Sequence, residues 1–101
     1  MPYINREDRP TVDANITDIV LSLKEIEGNL IDRAGPLNYT ITRICTGLID
    51  KVSYRDICVL TGVLENVKQE LYRRAAAPYE DMKIYENGDT NEYVRFDRQT
   101  S

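Results

Sequence analysis

The chain has 101 residues, with 13 lysines and arginines against 17 aspartates and glutamates, two cysteines and no histidine. The absence of histidine excludes Ser-His and Cys-His nucleophile pairs, and every zinc site that uses histidine. The net charge of −4 argues against sequence-independent binding of DNA or RNA polymers, which requires a surplus of basic side chains.

The start of the chain lacks the basic and apolar regions of a signal peptide, and no apolar run approaches the roughly 18–20 residues of a membrane span. We therefore expect a soluble intracellular protein with no membrane partner, in which Cys45 and Cys58 remain reduced. Seven tyrosines accompany one phenylalanine and no tryptophan, so the supply of purely apolar side chains is lean for a monomer of this size. We therefore expect the chain to form a homo-oligomer, either a dimer or a tetramer.

The first apolar residues recur in steps of three and four from Pro10, which predicts an amphipathic helix from Pro10 to about Asn29. Gly35-Pro36 is a typical helix-breaking pair, so a second helix is expected from Pro36 or Leu37 to a point before Ser53. Gly47 within this second pattern predicts a close approach of another backbone.

Ser53 is a good cap for a third helix, whose apolar stripe continues to Pro78, where a kink is expected because proline lacks the backbone N–H. A shorter piece then ends at Asn87-Gly88. The sequence thus predicts an all-α fold, a small helical bundle with a long third helix kinked at Pro78. Residues 1–88 form a single helical domain and residues 89–101 a polar tail.

Three groups of residues are candidates for binding. Arg74 falls on the apolar stripe of the third helix, where a guanidinium must be paired, either with a carboxylate of another helix or subunit or, together with Arg73, with an anionic ligand. Tyr72, Tyr79 and Lys83 share one row with Ala76 between them. The two phenol rings, roughly 10 Å apart on a straight helix, leave a gap for flat rings, although an oligomer seam is the plainer alternative.

The third group lies at the predicted start of the second helix. Asn38 and Thr42 share one row, and Tyr39 and Arg43 share the adjacent row. Near a helix N-terminus such side chains suit a nucleobase or a phosphate, because backbone N–H groups there are free for anions. The alternative, particularly for Asn38, is that these are solvent-exposed polar residues of a turn with no ligand.

Catalysis and metal binding are not expected. Glu65 with Lys68, and Glu70 with Arg74, have ordinary helical ion-pair spacings, and no pair of acidic motifs recurs on two helices as a carboxylate metal site requires. Cys45 and Cys58 lack basic neighbours and are expected to be small core residues. We therefore expect no catalytic residue, metal or cofactor.

Several runs of the sequence resemble a family of small uncharacterised proteins encoded by bacteriophages and prophages. These runs are MPYI at residues 1–4, GPLNYTIT at 35–42, ELYRR at 70–74, PYEDMKI at 78–84 and ENGD at 86–89. The family is associated with no settled enzymatic activity. In size, composition and expected self-association the chain is also similar to phage sponge proteins, which sequester the cyclic nucleotide signals of bacterial immune systems such as CBASS and Thoeris.

These observations lead to the expectation of a phage-encoded, non-catalytic protein that sequesters a cyclic nucleotide in the host bacterial cytoplasm. In this interpretation the arginines meet phosphates, the tyrosines stack on bases, and Asn38 and Thr42 contact base edges. The alternatives are a phage protein that binds a host protein through Tyr72 and Tyr79, and a small virion or assembly protein.

Overall fold

The computed structural model describes residues 3–100, and only the backbone of residue 100. Met1, Pro2 and Ser101, which belong to the first motif and to the predicted tail, lie outside the described residues. The prediction of an all-α fold is confirmed, since the described residues form helices and no strand. A short 3-10 helix, Arg6–Asp8, precedes α1 (Pro10–Lys24), α2 (Leu30–Gly47), α3 (Tyr54–Leu71), a π-helix (Tyr72–Ala76), α4 (Ala77–Asn87) and α5 (Asn91–Thr100).

The chain divides into two compact units, one ending at Leu60 and the other beginning at Thr61. In the first unit, α1 packs against α2. In the second unit, the π-helix continues directly into α4, which begins at the next residue. The proposed division at residue 88 stays a prediction.

The predicted boundary between the first two helices is wrong. Helix α1 ends at Lys24, and the turn that follows contains Gly28 with a φ of 106°. Asn29 then caps α2: its Oδ1 accepts a hydrogen bond from the Ile31 N–H at 2.9 Å, and its own N–H donates to Asp32 Oδ2 at 2.9 Å. This capping box satisfies two N–H groups at the helix start, and it outweighs the continuing apolar pattern.

Pro36 consequently lies inside α2 and does not begin it. Proline in a helix interior cannot donate to the carbonyl four residues earlier, which normally breaks the helix. Here α2 continues through Pro36, and the Thr40 hydroxyl donates to the Pro36 carbonyl at 2.8 Å. The close backbone approach expected at Gly47 is also not found, since a Cβ added there would meet nothing within 4 Å among the described residues.

The boundaries of the later helices follow the sequence more closely. Ser53 Oγ accepts a hydrogen bond from the Asp56 N–H at 3.1 Å at the start of α3. The Gly88 N–H closes α4 by donating to the Ile84 carbonyl at 2.7 Å, with a φ of 88° at Gly88. The irregularity predicted at Pro78 takes the form of the π-helix directly before it, in which the Ala77 N–H donates to the Tyr72 carbonyl.

Residues 91–100, which the sequence marked only as part of a polar tail, form the helix α5. Thr90 begins it, because its hydroxyl accepts from the Tyr93 N–H at 3.3 Å and its carbonyl accepts from the Val94 N–H at 3.2 Å. The rings of Tyr93 and Phe96 then meet edge to face at 5.9 Å.

No side chain is buried among the described residues. The expectation that the cysteines belong to a core is therefore wrong for the chain by itself, because Cys45 is half-buried and Cys58 is exposed. Each of the helices α1–α5 has apolar residues that are at least one-third exposed, among them Ile16 of α1, Ile44 of α2 and Leu71 of α3.

Candidate functional site

The four site residues predicted on α2 lie on adjacent rows of one helix, as their spacing indicated. The Arg43 guanidinium lies over the Tyr39 ring, with 5.9 Å between Cζ and the ring centroid. The Thr42 hydroxyl donates to Asn38 Oδ1 at 3.3 Å. One row thus presents a cation beside an aromatic face, and the neighbouring row presents an amide and a hydroxyl.

Tyr39 and Arg43 also line a shallow depression on the surface of α2, together with Thr40 and Ile44. Its volume is about 300 Å³. Sequence reasoning missed Thr40 and Ile44, although they follow Tyr39 and Arg43 directly and so occupy the next row of the same helix. Ile44 follows Ile41 and precedes Leu48 at steps of three and four, a spacing typical of the apolar face of a helix and not of a binding residue.

One argument for this site is overturned by the structure. Because α2 begins at Leu30, Asn38 is its ninth residue and Arg43 lies deeper still in the helix interior. Backbone N–H groups in a helix interior are engaged in the helical ladder, so they are not free for an anion. Any anion at this site depends on the Arg43 side chain alone.

The Arg43 guanidinium is not neutralised by the described chain. No carboxylate among residues 3–99, whose side chains the structure describes, forms an ion pair with it. Arg33, on the same helix, is engaged differently, because it donates to the backbone carbonyls of Lys24 and Ile26. Arg43 therefore keeps its charge available for a ligand, with an aromatic ring directly beneath it.

Arg73 and Arg74 of the π-helix share a carboxylate partner near the end of α3. Arg73 Nη2 lies 2.6 Å from Glu70 Oε1, and Arg74 Nη1 lies 3.7 Å from the same oxygen. The expectation of a buried Arg74 is wrong, since 63% of its side chain is exposed. In the chain by itself the stripe on which Arg74 was placed is exposed, and the guanidinium is paired with Glu70 and not with a residue of another helix.

The row of Tyr72, Tyr79 and Lys83 is interrupted by the π-helix. The Tyr72 hydroxyl donates to Glu80 Oε2 at 2.9 Å. This hydrogen bond and the negative charge of Glu80 raise the pKa of Tyr72 above its ordinary value. Lys83 Nζ lies 5.6 Å from the centroid of the Tyr79 ring and 3.2 Å from Glu86 Oε2.

The two sets of predicted residues therefore differ in the charge they offer. In the second unit a carboxylate accompanies Tyr72, the two arginines and Lys83, and these carboxylates are Glu80, Glu70 and Glu86 respectively. In the first unit no carboxylate accompanies Arg43 among the described side chains. The α2 set is the better candidate for an anionic ligand.

No group of three or more cysteine, aspartate or glutamate side chains within the described range could hold a metal ion. Across the same range, none of the helices has both the length and the apolar character needed to span a membrane. The ion pairs expected from helical spacing do form, between Glu65 and Lys68 at 3.7 Å and between Glu70 and Arg74.

A comparison with known proteins places the chain in a family. No curated protein and no solved structure shows significant similarity to it. One family model, described as a domain of unknown function (DUF6899), matches residues 1–90, which cover the first unit and the second unit through helix α4 but not α5. The chain belongs to the DUF6899 family.

Proposed function

We propose that this protein is a phage-encoded, non-catalytic binding protein that sequesters a cyclic oligonucleotide signal in the cytoplasm of the bacterial host. The observation that carries the proposal is the placement of the Arg43 guanidinium 5.9 Å from the Tyr39 ring centroid, at the edge of the α2 depression. This pair combines the two elements that a nucleotide requires, a flat apolar face for the base and a fixed positive charge for the phosphate.

The neighbouring row supplies the remaining chemistry. The Asn38 amide and the Thr42 hydroxyl are hydrogen-bonded to each other on the exposed side of α2, and each can exchange that bond for one to a base edge. A depression of about 300 Å³ is at the lower end of the volumes of ligand sites. Because the depression is shallow and open, a base is expected to lie on the Tyr39 face and not to be enclosed by the site.

Binding without turnover is favoured by what the chain contains. The sequence has no histidine for acid-base catalysis. Arginine and tyrosine at the α2 site hold and orient a phosphate ester, but guanidinium remains protonated and cannot act as a general base at neutral pH. A bound ligand is therefore expected to leave the protein unchanged.

Calorimetric titration with a panel of cyclic dinucleotides and trinucleotides tests the proposal. Tyr39→Ala is expected to weaken binding about 5- to 150-fold, since aromatic stacking contributes about 1–3 kcal/mol per base. Arg43→Ala is expected to weaken binding at least tenfold, since a hydrogen bond to a charged group contributes about 1.5–3 kcal/mol. Tyr39→Phe keeps the stacking face and is expected to bind nearly as well as the wild type. Tyr54→Ala and Arg55→Ala are matched controls in the same unit, because both side chains are exposed and neither lines the depression.

No heat with any member of the panel contradicts the proposal, as does an equal loss of affinity in the control variants. Ligand recovered after heat denaturation should be intact, and a cleaved product would make the protein an enzyme. Arg74→Ala belongs in the same series, because it tests whether the second set takes part in binding.

A second candidate function, docking on a host protein, is favoured by the exposure of two rings in the second unit. Tyr72 and Tyr79 expose 54% and 57% of their surface, and tyrosine is enriched in protein interfaces. A host protein that co-purifies with the wild type, but not with Tyr79→Ala, would support this function.

A further inference from the structure

A row of aliphatic side chains runs along α3 without a covering partner. Leu60, Leu64, Val67 and Leu71 follow one another in steps of four, three and four residues. Leu60 is half-buried, whereas Leu64, Val67 and Leu71 are 42%, 61% and 67% exposed. Steps of four and three place side chains on one seam of a helix, which is the pattern of the a and d positions in a coiled coil.

Exposure of apolar side chains is not confined to α3. The solvent-accessible surface of the chain amounts to 9379 Å². A folded monomer of 11.6 kDa is expected to expose about 5,800 Å². The excess of roughly 3,500 Å² per chain is several times the ~800 Å² that one partner contributes to a standard interface.

The energetics require a partner that is always present. Ordering the backbone costs about 1–2 kcal/mol per residue, and the burial of apolar surface is the main term that offsets this cost. A chain with no buried side chain among its described residues cannot offset it alone. A second copy is the one partner that is available wherever the chain is made.

The chemistry of the α3 row also suits a second copy. From Leu60 to Leu71 the row contains only leucine and valine, so two identical rows can pack against each other without leaving a buried charge or hydrogen-bonding group unpaired. Arg74, the next residue at this spacing, lies beyond α3 in the π-helix and is paired with Glu70. Away from the row, α3 presents Glu65, Lys68 and Gln69, which keep both signs of charge in solvent. A partner selected by charge would instead require one sign along the rim of the row.

We propose that the α3 row formed by Leu60, Leu64, Val67 and Leu71 is the self-association face of this protein, and that a second copy of the chain covers it through the same row. This association is independent of the nucleotide site on α2. The chain folds to its observed helical content only when the row is covered.

Sedimentation velocity from about 1 µM to about 100 µM, with circular dichroism at the same concentrations, tests the wild type. The expected result is an oligomer, with helicity that falls as the oligomer dissociates on dilution. A helical monomer at every concentration would overturn the proposal.

Val67→Lys and Gln69→Lys form a matched pair, because they introduce the same charge two residues apart, which places it on opposite faces of α3. Val67→Lys is expected to raise the dissociation constant by about a hundredfold, through lost apolar burial and a charge in the seam. Gln69→Lys is expected to associate like the wild type. If Val67→Lys is unfolded when dilute, that result supports coupled folding and association, provided that Gln69→Lys keeps the wild-type helicity.

Equal association of the two variants would overturn the choice of face, and equal disruption by both would overturn it as well. Formation of a stable complex with a different protein in place of self-association would overturn the choice of partner. None of these measurements includes a nucleotide, so failure of the self-association face and failure of the α2 site are distinguished directly.

Discussion

The Arg33 guanidinium donates two hydrogen bonds to the backbone carbonyl of Ile26, at 3.1 Å from Nε and 3.0 Å from Nη2. Nη2 also donates to the carbonyl of Lys24, the last residue of α1, at 3.0 Å. One side chain of α2 therefore satisfies carbonyls at the C-terminal end of α1, where helical partners are lacking. Arg33 is the principal polar link between α2 and the turn that precedes it.

Replacement of Arg33 by alanine is expected to lower the free energy of unfolding by about 2 kcal/mol, because hydrogen bonds from a charged donor contribute about 1.5–3 kcal/mol. Thermal unfolding at a fixed protein concentration measures the change. Arg55→Ala is the matched control, since 87% of that side chain is exposed and its nearest carboxylate, Asp56, lies at 3.8 Å. Equal melting temperatures for the two variants would contradict the structural role of Arg33.

Gly28→Ala is expected to destabilise the protein by at least about 2 kcal/mol. The φ of 106° at this position is strained for any residue with a Cβ, and an added Cβ would overlap the Asp32 carboxylate that completes the capping box. Gly88→Ala separates the two effects, because its φ is 88° but nothing lies within 4 Å of an added Cβ. In chemical denaturation, Gly28→Ala should therefore have a lower free energy of unfolding than Gly88→Ala. The reverse order would contradict the predicted overlap with the Asp32 carboxylate.

Helix content could be predicted from apolar periodicity, whereas the α1–α2 boundary could not. Leu30 continues the steps of three and four from α1, so the pattern alone extends α1 past its true end. The capping box of Asn29 and Asp32 decides the boundary, and its spacing is visible in the sequence. Gly35-Pro36, the stronger conventional signal, was misleading because the established helix tolerates Pro36.

The candidate site was predicted in its spacing but not in its electrostatics. The pairing of Tyr39 with Arg43 follows from a separation of four residues on one helix. The contrast between Arg43 and Arg74 depends on where carboxylates lie in space. Glu70 was recognised as a spacing partner of Arg74, yet its simultaneous contact with Arg73 depends on side-chain geometry that no spacing rule contains.

Gly62→Ala is expected to stabilise the protein by about 0.5–1 kcal/mol. Gly62 lies in the interior of α3, where glycine is less favourable than alanine, and an added Cβ would meet nothing within 4 Å. Gly62 is two positions away from both Leu60 and Leu64 along the helix, so it lies on the face opposite the apolar row. Thermal unfolding checks the gain, and a loss of stability would indicate that a second copy packs on the Gly62 face instead.

The hydrogen bond between Tyr72 and Glu80 predicts a dependence of stability on alkaline pH. The pKa of Tyr72 is raised above its ordinary value of 10.0 by this bond and by the negative charge of Glu80. A raised pKa in the folded chain means that the contribution of the bond is fully present below pH 10 and is lost as the pH rises through the raised value.

Titration of the Tyr72 Cζ resonance by ¹³C NMR, assigned with Tyr72→Phe, should show a pKa that returns towards 10 in Glu80→Gln. Glu86→Gln removes a carboxylate of the same helix that is paired with Lys83, and it should leave the Tyr72 titration unchanged. Identical Tyr72 titrations in the wild type and in Glu80→Gln would show that the hydrogen bond does not form in solution.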